Sequence, residues 1–484
     1  MAANNHAEIL KEIEKKLGSK LELLLLFGAE SGADFKASNI SQMNLRRPIG
    51  TKHIMQNDEY RGLLHSVGFS HDIEADAMEF IDHLNRRDKR YRYFSHKLET
   101  IHDYMDYYHI MFDVVSKIII ENKITHVLFF NIPHLAYDTL IYHIAQRLKL
   151  DILILNQSIF ENKFFSLRNV VDFGSINKNN ASNEYPPIVI DSKKKLEHFY
   201  MKKIKQEKDT TGKMSFKAIY LYFLYVVLKE PTLLLKPKKI YNYLIRINKV
   251  YKALPKWRDP FASYFHKSRL EYFEHIIEYE NNDYDLDIPF VYFAMQLQPE
   301  MTTSALGGWF RDQALAIEYL ADLLPQDVMI YVKENPKQGA FMRGPLFFHR
   351  LNRIKNVKIL PSYANTHQLM EKSLFVSTIT GTVGWEAIRE KKNVLVFGNP
   401  WYKSLPGVFA YNDKLTYNDI IDYKIDHSEL EKSLGILMGL SHDGVVDRHY
   451  KKIAKNYDKI KNLDMVSDTI IDLLLYRKDV TFKQ

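Results

Sequence analysis

Residues 375–400, FVSTITGTVGWEAIREKKNVLVFGNP, restrict the fold more than any other stretch, because the hydrophobic period changes twice within them. Residues 375–379 form a short apolar, β-branched run of the kind buried on both faces of a parallel sheet. Thr380-Gly381-Thr382 breaks that run. Residues 384–392 follow with helical spacing: Trp385 and Ile388 lie on one side, and Arg389, Lys391 and Lys392 come near the end, where cations suit the helix dipole. Asn393 stops the helix, and 394–397 is the next buried strand. The turn puts N–H groups and the positive end of a dipole at the first helical residues. A phosphate or carboxylate fits there, with Thr380 and Thr382 adding hydroxyls. A threonine-capped connection that binds nothing is the plainer alternative.

The same alternation runs through the second half. Strands are predicted at 289–295, 328–332 and 357–360, and helices at 310–323 and 365–372. Strand, helix, strand, helix in this order gives a doubly wound parallel sheet. The polar residues fall repeatedly just after strands: Gln298 and Glu300, Lys333 and Glu334, then Thr380, Gly381 and Thr382, with Glu386 one turn into the helix. In such sheets, ligands collect outside the carboxyl ends of the strands.

The first half carries a weaker version of this pattern. Residues 21–27 read as a strand followed by a glycine loop, and 33–98 are polar and mixed with few clear periods. A helix is predicted over 99–121, with Ile101, Met105, Tyr108, Met111, Phe112 and Val115 on one face. A βαβ unit follows: strand 125–131, helix 137–148, strand 151–156. Its loop, Asn131-Ile132-Pro133-His134, lies where a ligand binds in such units. His134 is suited to orienting or deprotonating a hydroxyl, with Asp138 assisting. A surface histidine and a carboxylate placed favourably at a helix N-terminus are the simpler readings.

At 484 residues the chain exceeds a single core, so two domains are expected. The absence of cysteine excludes disulfides and thiolate metal sites and fits a reducing compartment. The N-terminus, MAANNHAEILKEIEKK, does not read as a signal peptide, and the longest apolar run, 218–228, is too short to span a bilayer. Charge is concentrated. Residues 191–258 hold eighteen Lys/Arg against five Asp/Glu, a balance of +13 in a chain of net +8. Aromatic and leucine residues interleave with the lysines, which suits basic amphipathic helices on an anionic membrane surface. A helical insertion with a solvated lysine face is the alternative. No RNA-binding signature or zinc spacing supports a nucleic-acid partner.

The motifs QLQPEMTT (296–303), GGWFRDQ (307–313), VKENPKQ (332–338) and STITGTVGWEA (377–387) make the second half similar to the nucleotide-sugar half of GT-B glycosyltransferases. More narrowly, it resembles bacterial capsule and lipopolysaccharide biosynthesis proteins, a group that includes the retaining β-Kdo transferases. The resemblance covers roughly 286–410. It departs at Asn335, where the family commonly carries histidine, so no histidine role transfers to that loop. The resemblance implies two Rossmann-like domains facing a cleft: 1–190 on the acceptor side, a basic insertion or linker at 191–284, 285–450 for the nucleotide-sugar, and C-terminal helices at 451–484 that pack back on the first domain. It implies that Lys333, Gln298 and the Thr380-Gly381-Thr382 turn hold the donor, that Glu386 meets substrate hydroxyls, and that Glu300 and Glu334 are candidates for acid–base work or substrate hydroxyls; it places no family acid or base in the first half, where His134 and Asp138 are candidates by their loop position alone.

The function these residues imply is a cytoplasmic glycosyltransferase, placed peripherally on the inner membrane. It would move a sugar from a nucleotide-activated donor, CMP-Kdo or a similar acid sugar, to a surface-polysaccharide or lipid-linked glycan. A nucleotide-sugar epimerase of the same architecture and a non-catalytic capsule-assembly adaptor are the alternatives. Neither a metal nor another cofactor is expected.

Overall fold

The computed structural model describes residues 4–27, 41–43, 67, 72–85, 98, 100–176, 185–190, 224, 228, 231–238, 241, 284–335, 338, 343–360, 364–447 and 457–483. The glycine loop after residue 27, most of 44–97 and nearly all of the basic segment lie outside the described residues.

The first half contains α1 (Asn4–Leu17), a parallel pair β1 (Leu25–Phe27) and β2 (Ser41–Met43), α2 (Asp72–Asn85), α3 (Ile101–Glu121), β3 (His126–Phe129), α4 (Ala136–Arg147), β4 (Asp151–Gln157) and β5 (Lys163–Leu167). Helix α3 starts where predicted because Thr100 and Asp103 form a reciprocal cap. The Thr100 hydroxyl accepts from the Asp103 N–H at 3.2 Å, and the Asp103 carboxylate accepts from the Thr100 N–H at 2.7 Å. Tyr108, Met111, Phe112 and Val115 are buried as the spacing predicts, whereas Ile101 in the first turn is exposed. Strands β3 and β4 are parallel around α4, as predicted. Strand β5 then doubles back antiparallel to β4, so this sheet is mixed rather than wholly parallel. Helix α2 has no counterpart among the predicted elements, although Ile73, Ala77, Phe80 and Ile81 bury one face of it.

The second half runs β6 (Phe290–Ala294), α5 (Gln313–Leu323), β7 (Met329–Lys333), α6 (Pro345–Asn352), β8 (Val357–Leu360), α7 (Thr366–Lys372), β9 (Val376–Thr378), α8 (Thr382–Arg389), β10 (Val394–Val396) and β11 (Val408–Ala410), followed by α9 (Tyr417–Ile421) and α10 (His427–Leu440). Its six strands are all parallel, in the order β11-β10-β9-β6-β7-β8. From β6 the chain winds outward to β7 and β8, then returns to β9 and winds the other way. The winding therefore reverses between β6 and β9, which is the switch point where doubly wound sheets bind ligands.

Alternation along these strands divides the core. Val291, Phe293, Ile330, Val332 and Leu395 face α5, α6 and α9. Phe290, Tyr292, Tyr331, Val376 and Val394 face the other way, into a core that continues through α2, α3 and α4 of the first half. Contacts at the seam are close. Gly174, at φ +80°, lies so near the Pro400 carbonyl that no side chain fits, and the Ser404 hydroxyl donates to the Gly174 carbonyl at 2.7 Å. Phe160 packs edge-on against Trp385 and Trp401, with centroids 6.4 and 5.3 Å away.

The chain end returns to the first sheet. Strand β12 (His442–Asp443) pairs antiparallel with β5. Helix α11 (Lys459–Leu474) packs Val466 and Ile470 against Ile9 and Ile13 of α1 and against Leu153, Leu155 and Phe164. Lys16 of α1 bridges Asp464 and Asp468 of α11 at 2.5 and 2.8 Å.

Candidate functional site

The carboxyl edge of the parallel sheet is built from glutamines and one arginine. Strand β6 ends at Ala294, and its following loop carries Gln296 and Gln298 across to β9 and β7. The Gln296 side-chain oxygen accepts from the Thr380 N–H at 2.7 Å. The Gln296 N–H donates to Gln313 Oε1 at 2.8 Å, and Gln313 Nε2 returns a bond to the Gln296 carbonyl at 3.0 Å. Gln298 and Gln338 pair in the same reciprocal way, amide to backbone, at 2.8 and 3.0 Å. A loop held by side-chain amides on both sides has few conformations left, which is what a preformed site needs.

Arg343 sits at the centre of this network with 1% of its surface exposed. Its Nε donates to Glu334 Oε2 at 2.9 Å, Nη1 to Gln298 Oε1 at 2.7 Å and Nη2 to the Gln296 carbonyl at 3.0 Å. The guanidinium also lies over the Phe347 ring at 4.7 Å. It therefore ties the loop after β6 to the loop after β7. Nothing in the sequence singles out Arg343, an isolated cation before the Gly344-Pro345 helix start. Gln296, Gln313 and Gln338 stand in the recognised motifs without an assigned role, and only their mutual spacing in three dimensions reveals one.

The predicted residues fall into this frame as follows. Lys333 closes β7, is buried at 8% exposure, and by alternation shares the sheet face of Tyr331, toward the first half. Its carbonyl accepts from the Met295 N–H at 3.0 Å. Glu334 is buried, and its two oxygens accept from Arg343 and from the Asn335 N–H at 2.8 Å, so its carboxylate is engaged within the protein. The Gln298 side chain is likewise engaged, by Arg343 and by Gln313 at 3.1 Å. Glu300 precedes the turn Met301–Ala305, and its N–H donates to the Thr303 hydroxyl at 3.2 Å.

The Thr380–Thr382 turn spends donors internally. The Thr380 hydroxyl donates to the Thr302 carbonyl at 2.5 Å, and the Gly381 N–H donates to the Thr378 hydroxyl at 3.3 Å. An anion at this turn would meet the first residues of α8, beginning at Thr382, rather than the Thr380 hydroxyl. The Gly381 carbonyl accepts from the Tyr402 hydroxyl, which approaches Gly384 so closely that a side chain there would collide with it. Burial pushes the Tyr402 and Tyr292 phenols far up, and the Glu386 carboxylate adds to both shifts.

His134 and Asp138 lie at the carboxyl end of β3 in the other half. The Asp138 carboxylate accepts from the His134 N–H at 3.0 Å and the Leu135 N–H at 2.6 Å, so it caps α4. His134 Nδ1 lies 2.6 Å from the Ile132 carbonyl. The geometry gives Asp138 a structural duty and brings no described bond between the His134 ring and the Asp138 carboxylate. Burial pushes the Asp138 carboxyl up to about 6 despite its two N–H donors.

This elevation has a measurable sign. The folded state holds the Asp138 proton more tightly than the unfolded chain, whose aspartates titrate near 3.9. The stability drawn from that proton is complete below about pH 4 and is lost as pH rises to about 6. Between pH 4 and pH 7, Asp138→Asn should gain about 2–3 kcal/mol relative to wild type, from roughly 1.4 kcal/mol for each pH unit that separates the folded and unfolded titrations. Urea unfolding at the two pH values measures it, and parallel profiles would show that Asp138 titrates normally.

Among the described residues, no cluster of His, Asp and Glu is arranged to hold a metal ion. No helix among them is long and apolar enough to cross a membrane.

Residues 284–417 match the family described as capsule polysaccharide biosynthesis protein, in agreement with the motifs that carry the resemblance. Comparison with curated protein sequences finds no match. Among solved structures, Thermosulfurimonas dismutans KpsC, a beta Kdo 2,7 transferase, is 9% identical, covering 83% of this chain and 98% of that one at a TM-score of 0.30. The beta Kdo 2,4 transferase of KpsC from the same organism is 12% identical over 64% of this chain and 78% of that one, at 0.25. The UDP-GlcNAc 2-epimerase of Methanocaldococcus jannaschii is 11% identical over 78% of this chain and 84% of that one, at 0.22.

Proposed function

We propose that the chain is a glycosyltransferase of surface-polysaccharide synthesis. It takes its sugar from a nucleotide-activated donor held at the carboxyl edge of the parallel sheet. The observation that carries this reading is the coincidence of three things at one place: the capsule-family segment, the switch point between β6 and β9, and a loop frame preset by Arg343 and four glutamines. Departure of a nucleotide leaves negative charge on phosphate. Lys333 supplies a fixed cation for it, and the start of α8 supplies N–H groups. A cytidine-monophosphate-linked acid sugar such as Kdo is the donor favoured by the family resemblance. Glu300 and Glu386 are assigned to substrate hydroxyls, and Gln298 and Glu334 to the shape of the loop.

The 1–190 half is assigned to the acceptor, with His134 at the end of β3 facing it. His134→Ala should lower turnover while nucleotide affinity stays unchanged. Product analysis with and without a glycan acceptor tests the reaction type. Transfer that needs acceptor supports the proposal, whereas conversion of the donor alone would mark an epimerase.

Residues 191–258 are assigned to an anionic membrane surface, where a lipid-linked acceptor would be met. Each basic residue near such a surface contributes about 1 kcal/mol, and salt screens it. Charge reversal of Lys236, Lys238 and Lys239 to Glu should abolish sedimentation with anionic vesicles at low salt and leave turnover of a soluble acceptor intact. Wild type that fails to sediment would leave the segment as a structural insertion.

A further inference from the structure

Helices α2 and α4 gather a charged cluster at the seam between the halves, and the second half contributes one cation to it. Arg147 Nη2 bonds Asp76 Oδ2 at 2.7 Å, which occupies that pair. Glu79 lies between two imidazoles: His83 Nε2 is 3.6 Å from its Oε1, and His143 Nε2 is 3.6 Å from its Oε2. Burial alone would push the Glu79 carboxyl up, but the imidazoles outweigh it and hold the group at about 2. Arg311 enters from the second half, with Nη1 3.9 Å from Glu79 Oε2.

The Arg311 side chain is 19% exposed, and the ion pair with Glu79 is its guanidinium's one contact among the described residues. At 3.9 Å that contact is not a hydrogen bond, so the partly exposed guanidinium keeps N–H donors for a further acceptor. His83 and His143 are buried, yet neither ring nitrogen of His83 nor Nδ1 of His143 has a hydrogen-bond partner. Buried polar groups in native proteins are almost always bonded, so ring nitrogens left unbonded beside the Asp76 and Glu79 carboxylates, with His143 Nε2 also 3.7 Å from Asp76 Oδ1, leave a place for another partner.

The position fits a ligand of the neighbouring site. Arg311 ends the turn Gly308–Arg311 in the connection between β6 and α5. Two residues on, Gln313 bonds Gln296 and Gln298, and earlier in the same connection Thr302 receives the Thr380 hydroxyl. Helix α2 packs against that earlier turn, Met301–Ala305.

We propose that Arg311, flanked by His83 and His143, is an oxyanion-binding site at the seam, taking the carboxylate or phosphate oxygens of a ligand, with Glu79 holding the guanidinium in place until that ligand arrives. The identity of the ligand rests on the glycosyltransferase reading; the site itself does not. Arg311 is the binding residue, and Glu79 is the carboxylate that competes with the ligand for it.

Thermal shift with inorganic phosphate and with acetate, each against chloride at equal ionic strength, tests the site without any nucleotide. Binding to the native state raises the melting temperature by mass action. Wild type should respond to at least one anion, and which one responds separates phosphate from carboxylate. Arg311→Gln should lose the response, and Arg311→Lys, which keeps the charge but not the fork, should retain part of it. Glu79→Gln removes the competing carboxylate and should tighten anion binding roughly tenfold, the size of one screened charge contact. A merely structural ion pair predicts no tightening. The proposal is overturned if wild type responds to neither anion, if Arg311→Gln responds like wild type, or if Glu79→Gln binds no tighter. A CMP titration run alongside judges the nucleotide reading separately, since anion binding without CMP binding would remove the nucleotide and leave the site.

Discussion

Arg343→Met should lower the free energy of unfolding by about 3–5 kcal/mol, the cost of leaving one partner of a buried ion pair uncompensated. Glu334 is buried, and Arg343 Nε stands 2.9 Å from its carboxylate. Removing the guanidinium also strips Gln298 Oε1 and the Gln296 carbonyl of their donor, so the loops after β6 and β7 lose their tie. Nucleotide affinity should fall with stability. Adding Glu334→Leu to Arg343→Met should recover much of the stability, because an apolar pair of similar volume replaces the ions. It should not recover binding, since the loops stay untied. Urea unfolding of the three proteins separates the two effects. A single mutant within about 1 kcal/mol of wild type, an ordinary surface effect, would show that the network is not holding the loops.

Lys333→Ala should weaken nucleotide binding by about 1.5–3 kcal/mol, the range for a hydrogen bond to a charged group, which is roughly tenfold to over a hundredfold. Lys333 closes β7 next to β6, one strand from the switch point, on the sheet face that looks toward the first half. The melting temperature without ligand should change little by comparison. Calorimetric titration of the folded variant decides it: an affinity equal to wild type would remove Lys333 from the site.

The second half is legible in the sequence because β6, β7, β9 and β10 are buried on both faces and read as short apolar runs bounded by turns. Strands β8 and β9 and helix α7 lie within a residue or so of their predicted bounds. Helix α6 escapes that reading because, of its eight residues, only Phe348 and Leu351 bury deeply, while Leu346 points to solvent. Helix α2 escapes it for a related reason. Its buried Ile73, Ala77 and Phe80 are interspersed with Asp76, Glu79 and His83, whose polar side chains face one another and Arg147, Arg311 and His143 across space. A helix that buries ion pairs loses the clean amphipathic stripe by which helices are recognised. Strand β5 carries no mark of its direction, because an antiparallel return and a parallel crossover bury similar side chains.

The site is legible as a location more than as a mechanism. Position after a strand singles out the sheet edge. Residue type alone does not tell a carboxylate that meets a ligand from one, like Glu334, that neutralises a buried arginine. Likewise the Thr380 hydroxyl looks available in sequence, but it is spent on the Thr302 carbonyl, 78 residues earlier in the chain. Long-range polar pairing of this kind leaves no periodic signal, and Arg343 is its clearest case.

The central claim is that the edge of the parallel sheet binds a nucleotide. Isothermal titration of the full chain with CMP, CDP, UMP and UDP tests it directly. Saturable binding of at least one of these is predicted, abolished or strongly weakened in Lys333→Ala and accompanied by a rise in melting temperature. Absence of binding to all four by a folded, cooperatively melting wild-type chain would contradict it.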